Sequence, residues 1–230
     1  MRWLATALIA LVAGFGGAAL WSASGFGGNG TRDYLLAHPE VLTEAITVLQ
    51  TRDQQARLAP LRTELETPFP GAVMGNTQGT VTLVEFSDYA CGYCRQSLPV
   101  VEALVAANPD LRVVVREYPI LSEQSVEAAR MALAAAQQGR YAAFHGAMFR
   151  LGPPSPESIA AAASEAGVDL ARARQAIATG LFDSQLQTNA DLAARLGIEG
   201  TPAFIVGDQA LNGAVGEQAI GAAIEQARTS

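Results

Sequence analysis

The stretch Val81-Thr82-Leu83-Val84-Glu85-Phe86 is followed, after four residues, by Cys91-Gly92-Tyr93-Cys94. The first part is rich in β-branched and aromatic residues, which predicts a strand. The residues from Cys91 to Ala107 predict a helix with a kink at Pro99. A second strand is predicted over Leu111–Tyr118. A strand, a helix and a strand in this order predict a parallel crossover unit, and therefore an α/β protein.

Cys91 and Cys94 are the only cysteines in the chain. At the start of a helix, residues three apart share one face, so the two sulfurs can meet. The unpaired N–H groups of the first turn stabilise a thiolate there. This arrangement predicts disulfide exchange, with Cys91 as the nucleophile and Cys94 as the resolving thiol.

The cysteine pair has two alternatives to redox chemistry. A structural disulfide would close a very small loop and would stabilise the fold little. A metal site needs more ligands than two sulfurs, and the histidines His38 and His145 are both distant in sequence. We therefore predict no metal ion and no cofactor, while a metal shared between chains of an oligomer stays open.

After the second strand, a long helical block is predicted over residues 122–196. Glycine-containing breaks interrupt it at Gly139, at Gly152–Pro156, near Gly167 and near Gly180. The chain then ends with a strand, a short strand and a helix, at Ala203–Val206, Gln209–Leu211 and Gly216–Arg228.

Thr201-Pro202 stands directly before the strand that begins at Ala203. A proline at the first residue of a strand removes no ladder hydrogen bond. If the Thr201–Pro202 bond is cis, the backbone before it can face a bound extended peptide. From the residues alone, an ordinary trans turn proline is the alternative.

The N-terminal residues 1–24 read as a targeting segment. Arg2 precedes a nearly unbroken apolar run over 3–20, and small residues follow at 22–24. This is the pattern of a secretory signal peptide, although the run is also close to the length of a membrane anchor. Both alternatives place the rest of the chain outside the cytoplasm, where disulfides persist.

Residues 25–75 predict a linker and a helical arm, and residues 76–230 the main domain. In the helical stretch over 32–66, leucines recur at a spacing of seven residues at Leu35, Leu42 and Leu49. Leu58, Leu61 and Leu65 continue the stripe after a shift in phase, and Pro60 predicts a break in the helix there. The arm is either an oligomerisation segment that joins copies of this chain or a helix packed on its own body. The Pro- and Gly-rich stretch 68–79 predicts a connection.

The composition narrows the class of partner. The chain has 230 residues, is 50% hydrophobic and carries a net charge of −7. This composition can build a core. An acidic chain argues against a nucleic-acid partner, which would select a basic patch. Arg112 and Arg116 alternate with valines on the second strand, which predicts solvated charges at a sheet edge.

The motifs, in this order and spacing, resemble the DsbA family of periplasmic thiol–disulfide oxidoreductases. The resemblance covers residues 81–228 and rests on Val84-Glu85-Phe86, Cys91-Gly92-Tyr93-Cys94, Glu117-Tyr118-Pro119 and Gly200-Thr201-Pro202-Ala203-Phe204. It implies a thioredoxin-like fold with a helical insertion, preceded by the N-terminal helical arm. Residues 34–42 are similar to the N-terminal segment of the suppressor-of-copper-sensitivity C branch, where such segments support oligomerisation and isomerase activity.

The resemblance also implies roles for single residues. Glu85 stands where the family places a buried acid that relays a proton for Cys94; the alternative is a solvated carboxylate at a strand end. Pro202 would be cis, and Thr201 would set the peptide-binding backbone beside Cys91. The implied partners are exported proteins with cysteines and a membrane redox protein.

The residues between the cysteines depart from the strongly oxidising members of the family. Those members carry Pro-His, whereas this chain has Gly92-Tyr93. The change removes a histidine that stabilises the reduced form, and so weakens the case for a pure oxidase. Gly-Tyr is similar to periplasmic disulfide isomerases, and Tyr93 is also a candidate for substrate contact. The rival function is an envelope protein that binds copper through the same thiols without turnover.

Overall fold

The computed structural model describes residues 2–23 and 29–229. The chain divides into two compact units, Met1–Arg52 and Asp53–Ser230. Residues 24–28, which include most of the predicted linker and the end of the predicted cleavage region, lie outside the described residues.

The first unit is helical. It holds α1 (Arg2–Ala23), α2 (Asn29–Ala37) and most of α3 (Glu40–Leu58). α3 begins at Glu40, directly after His38-Pro39, and proline is accepted where a helix begins. Leu42, Ile46 and Leu49 are exposed along α3. Within the described residues, the search for a helix long and apolar enough to cross a membrane finds none.

The second unit is built on one five-stranded sheet. Its strands are β1 (Val73–Gly75), β2 (Val81–Ser87), β3 (Leu111–Glu117), β4 (Ala203–Val206) and β5 (Gln209–Asn212). Their order across the sheet is β1-β3-β2-β4-β5. Only the β2–β3 pair is parallel, as the crossover unit predicted, and the other pairs are antiparallel.

One strand was not predicted. β1 lies within the stretch that the sequence predicted as a connection, and it pairs Val73 with Val114. Three residues among prolines and glycines carry too little pattern to predict a strand. β1 is stabilised by its pairing with β3, which is distant in sequence, so its local sequence does not predict it.

The helices of this unit follow the predicted breaks. After a 3-10 turn at Ala59–Leu61, they are α4 (Arg62–Glu66), α5 (Gly92–Ala107), α6 (Glu123–Gln137), α7 (Tyr141–Leu151), α8 (Pro156–Glu165), α9 (Leu170–Ala178), α10 (Leu181–Leu196) and α11 (Glu217–Arg228). Gly139, Gly152, Gly167 and Gly180 all have positive φ, so each ends a helix where an L side chain would be strained.

The core lies on both faces of the sheet. On one face, Leu83, Val113 and Val115 pack with the cysteine helix and the helical insertion. On the other face, Val84 and Val114 belong to a second core cluster. This second cluster also holds leucines from the end of the arm, Leu58, Leu61 and Leu65, with Leu192 of α10. For this part of the leucine stripe, packing on its own body is the correct alternative.

The prediction for Arg116 was wrong. β3 lies inside the sheet, between β1 and β2, and the Arg116 side chain is only 3% exposed. Its guanidinium donates hydrogen bonds to the backbone carbonyls of Glu64, Leu65 and Thr67 at the end of α4. The alternation of valines could not show that the carbonyl groups at the end of α4 would need a hydrogen-bond donor from this strand. Arg112 is half-buried and donates to the Thr82 hydroxyl.

Candidate functional site

Cys91 caps the N-terminus of the helix α5. Its extended backbone, with φ −78° and ψ 116°, places the sulfur over the first turn. The Cys94 N–H donates to the Cys91 Sγ at 3.3 Å. Because this donor is one of the unpaired groups of a helix start, it favours a thiolate at Cys91. Both cysteines are free thiols in the structure.

The loop before β4 completes the surroundings of Cys91. The Thr201–Pro202 bond is cis, as the family resemblance implied. The Cys91 Sγ donates to the Thr201 carbonyl oxygen at 3.2 Å, although 110 residues separate the two. A cleft of about 310 Å³ lies beside this bond, lined by Gly197, Glu199–Pro202 and Asn212–Gly213. The fold therefore brings together the two motifs that the sequence placed far apart.

Cys94 lies one turn deeper than Cys91 and is fully buried. Loss of solvation raises the pKa of its thiol far above the ordinary value. A thiol in this position loses its proton readily only if a base is at hand.

Glu85 lies in β2, on the sheet face that carries Leu83 and the cysteine core. Its side chain is 2% exposed, so the alternative of a solvated carboxylate is wrong. Burial raises the pKa of Glu85 to about 7. A carboxyl group with this pKa can take up or release a proton near neutral pH.

Tyr93 projects from the first turn of α5 and is 62% exposed. Ile120 and Leu121 are also exposed hydrophobic residues, and their loop is tied to the loop before Cys91 by hydrogen bonds. An exposed aromatic ring beside a reactive thiol is a suitable contact for an extended peptide.

Asp88 makes that tie, and sequence reasoning missed it. Its carboxylate accepts hydrogen bonds from the backbone N–H groups of Ala90, Ile120 and Leu121 at 2.8–2.9 Å. Its backbone carbonyl accepts from the Cys91 N–H at 3.0 Å. The only available signal was an aspartate three residues before the nucleophile.

Glu117, at the end of β3, is a second buried acid near the site. Hydroxyl groups of Tyr89 and Tyr141 donate to its Oε1 at 3.0 and 2.7 Å. Burial raises the pKa of Glu117 to about 8. The sequence showed Glu117 only as part of the family motif and gave it no role.

His145 lies in the same buried cluster, and burial lowers the pKa of its ring to about 3. No group of three or more histidine, cysteine or acidic side chains in the described parts of the chain is arranged to hold a metal ion.

Comparisons with known proteins agree with this geometry. A family model described as a DSBA-like thioredoxin domain matches residues 82–225. A second model, the N-terminal domain of the copper resistance protein ScsC, matches residues 32–56.

Solved structures give the same result. A thioredoxin-like oxidoreductase from Silicibacter pomeroyi DSS-3 is 40% identical, with a TM-score of 0.65; the match covers 69% of this chain and 92% of that one. A periplasmic thioredoxin-like protein from Salmonella enterica serovar Typhimurium is 29% identical, with a TM-score of 0.64, over 74% of this chain and 97% of that one.

A curated relative is much longer than this chain. The Na⁺/H⁺ antiporter NhaA 3 of Salinispora tropica is 29% identical over 161 residues, which are 69% of this chain and 25% of the relative. The chain thus spans about a quarter of the length of the curated relatives that it matches. Taken with the cysteine pair at the start of α5 and the cis Pro202 beside it, the family match shows that the chain belongs to the DSBA-like thioredoxin family.

Proposed function

We propose that this protein catalyses disulfide exchange in exported proteins that contain cysteines. The observation that carries the proposal is the position of the Cys91 sulfur. It lies at a helix start, 3.3 Å from the Cys94 N–H and 3.2 Å from the Thr201 carbonyl oxygen. A sulfur held there can be attacked or can attack while a substrate backbone lies along the cis-proline loop.

The proposed reaction has two steps. The Cys91 thiolate attacks a substrate disulfide, so that a mixed disulfide forms and one substrate thiolate leaves. Cys94 then loses its proton to the Glu85 carboxylate and attacks the Cys91 sulfur, which releases the second substrate thiolate. Run in reverse, the same steps oxidise a substrate dithiol, so no external cofactor takes part in the exchange.

Substrate binding is assigned to the cleft beside Thr201 and Pro202 and to Tyr93. The cleft is lined by Thr201, whose carbonyl oxygen accepts from the reacting sulfur, and the exposed Tyr93 ring is two residues along the chain from Cys91. An extended segment can place its cysteine at Cys91 and its flanking side chains on the ring.

We favour isomerisation over pure oxidation. No histidine lies between the cysteines, so one means of stabilising the reduced form is missing. The reduction potential of the pair tests this: each 30 mV corresponds to about 1.4 kcal/mol for this couple. A potential close to that of the strong oxidants would contradict the preference. A membrane redox protein is the proposed partner that resets the pair.

The proposed location is the periplasm. The apolar run over 3–20 has the pattern of an export signal, and the relative from Salmonella is described as periplasmic. Fractionation of cells that express the full chain tests the proposal, and recovery with cytoplasmic markers would contradict it.

The nucleophile is tested by refolding of scrambled ribonuclease. Cys91→Ser is expected to abolish catalysis, because the attacking thiolate is lost. Tyr34→Phe is a matched control, since Tyr34 lies in α2 of the first unit, and it should refold the substrate at the native rate. Undiminished activity of Cys91→Ser would overturn the proposed mechanism.

A second candidate function is copper binding without turnover. It is favoured by the match of residues 32–56 to the N-terminal domain of a copper resistance protein. It predicts stoichiometric Cu(I) uptake by the two thiols and no catalysis of insulin reduction. Catalytic insulin reduction by the native chain would exclude it.

We also propose that the arm joins copies of this chain. Leu42 and Leu49 are one heptad apart, Ile46 lies between them, and all three are about half exposed. Such a stripe is the seam of a coiled coil. Serine at all three positions is expected to lower the mass in solution to that of one chain, and an unchanged mass above one chain, or a native chain that is already a monomer, would overturn the proposal.

A further inference from the structure

The buried acid Glu117 lies in a cluster that the two-step reaction does not use. Its side chain is 1% exposed at the end of β3. Two hydroxyls, from Tyr89 and Tyr141, donate to the same oxygen, Oε1. The Asn189 side chain donates to the Glu117 backbone carbonyl and fixes the strand end from α10.

The cluster extends to the helical insertion through His145. The His145 Nδ1 lies 2.9 Å from the Tyr89 hydroxyl oxygen. Because the Tyr89 proton is given to Glu117, Nδ1 carries the ring proton and donates to Tyr89. The other ring nitrogen, Nε2, is buried and has no hydrogen-bond partner among the described residues. The hydrogen bonds therefore run in one direction: His145 donates to Tyr89, and Tyr89 donates to Glu117.

This cluster is joined to the cysteine loop. Tyr89 lies two residues before Cys91, and its ring packs in the same core as Cys91 and Cys94. Tyr89 therefore joins Glu117 to the segment that positions the nucleophile.

Glu85 and Glu117 lie on one face of the sheet. In the parallel β2–β3 pair, Glu85 pairs with Val115, and Glu117 is two residues further along β3, so both side chains project to the same side. Neither carboxyl has an ion pair with an arginine or histidine within the described residues. Two buried carboxylates without a cation cannot both ionise at low cost. Repulsion from Glu85 accordingly helps burial to raise the pKa of Glu117.

We propose that Glu117 is a positioning residue of the exchange reaction, whose charge is coupled to that of Glu85 and so sets when Glu85 can accept the proton of Cys94. The proposal rests on the proposed function of the cysteine pair. The titratable groups that act on Glu117 are Tyr141, Tyr89, Asp88 and Glu85, and His145 contacts the Tyr89 hydroxyl. The two hydroxyls favour the ionised form of Glu117, and the two neighbouring acids oppose it.

The proton balance of the second step is then complete. The proton of Cys94 passes to the carboxyl pair as the Cys94 sulfur forms its bond to Cys91 and the substrate thiolate leaves. When the two carboxyl groups together have lost one proton, they can accept the proton of Cys94. A pair that has lost both is a stronger base, because each charge raises the proton affinity of the other group.

The experiment follows the two releases of thiolate when the reduced full chain reacts with 5,5′-dithiobis(2-nitrobenzoate). The first release reports attack by Cys91, and the second reports attack by Cys94 on the mixed disulfide. Rates are measured from pH 5 to 9 for the native protein, Glu117→Gln and Tyr141→Phe. Glu102→Gln, an exposed acid on α5, is the matched control.

For the native protein and the control, the rate of the second release is expected to rise in two steps, near pH 7 and near pH 8. Glu117→Gln should lose the upper step. Tyr141→Phe keeps the carboxyl but removes a donor to its ionised form, so the upper step should move to higher pH. Two steps at native positions in Glu117→Gln would overturn the proposal.

The two proposals fail in different ways. If the native chain gives no first release, the proposed function fails and this inference fails with it. If the first release is normal and the second has the native profile in Glu117→Gln, this inference alone fails. If Glu117→Gln does not fold, Tyr141→Phe decides, because an upper step that stays in place there also overturns the proposal.

Discussion

The environments of Cys91 and Cys94 differ, although they are one helical turn apart. Cys91 is 5% exposed, and an N–H group and the Thr201 carbonyl oxygen surround its sulfur. Cys94 is sealed inside the core, where burial raises its pKa. The proposed roles follow from this difference: Cys91, which is 5% exposed, would react with substrate, and Cys94, which has no exposed surface, would react only with Cys91.

At the residue scale, Glu85 should make stability depend on pH. Its pKa is raised to about 7 in the folded chain, against 4.5 when unfolded, so the folded state holds the proton more tightly. Stability contributed by the protonated form is complete below pH 4.5 and is lost as pH rises toward 7, by about 3 kcal/mol.

Glu85→Gln removes this loss, because the amide stays neutral at all pH values. The variant should therefore be more stable than the native protein at pH 8, by about 2–3 kcal/mol, and similar at pH 4.5. Urea unfolding at the two pH values measures it. Equal stability of the two proteins at pH 8 would mean that Glu85 is solvated.

Tyr93 should act on substrates without acting on stability. Tyr93→Ala removes an exposed ring, so the unfolding free energy should change by less than about 0.5 kcal/mol. Insulin reduction should show a higher KM, while reaction with a small aromatic disulfide keeps its native rate. A loss with both substrates would point to a distorted active site instead.

Local spacing identified the cysteine pair and the family resemblance identified Thr201 and Pro202, but neither gave a role to Asp88 or Glu117. Cys91 and Cys94 could be identified from their spacing, and Tyr93 from its position between them. Asp88 and Glu117 could not, since their partners are in other elements: Asp88 binds N–H groups 32 and 33 residues away, and Tyr141 lies 24 residues from Glu117.

At the element scale, the alternating valines of β3 supported two predictions: the strand itself, which was correct, and a solvated Arg116, which was wrong. Valine content predicts that a segment forms a strand, but it does not predict whether that strand lies inside the sheet or at its edge. The interior position turned Arg116 from a surface charge into the donor that closes the end of α4. Burial lowers the pKa of Arg116 to about 10, so it stays charged near neutral pH.

Arg116→Leu should lower the unfolding free energy by about 3 kcal/mol, because the carbonyls at the end of α4 lose their donor in a buried place. Arg112→Leu, on the same strand, is the matched control and should cost about 1 kcal/mol, since it removes one half-buried hydrogen bond. Guanidinium unfolding of both variants measures the difference. Equal costs would contradict the assigned role of Arg116.

At the scale of the whole molecule, the helical insertion was predicted well because each break falls at a glycine with a required positive φ. The arm was predicted less well. Its leucines are alike in sequence, yet Leu58, Leu61 and Leu65 are core residues of the second unit while Leu42 and Leu49 are exposed. The spacing of leucines does not distinguish residues that pack in the core of their own chain from residues on an exposed face that could bind another chain.

The compact unit from Asp53 onward contains the complete site. A chain that begins at Asp53 should therefore keep a cooperative thermal transition and the native rate of thiolate release from a small aromatic disulfide. A chain that begins at Leu65 loses Leu58 and Leu61 from the core and should unfold at a lower temperature. Loss of the transition in the Asp53 chain would show that the first unit supports the fold.

The most direct test of the central claim is to trap the mixed disulfide. Cys94→Ser, mixed with a disulfide-bonded peptide and quenched in acid, should give one covalent adduct by mass spectrometry, located at Cys91 and released by reductant. The resolving thiol is absent, so the adduct should persist. No adduct at Cys91, or an equal yield of adduct at Cys94 in Cys91→Ser, would contradict the account.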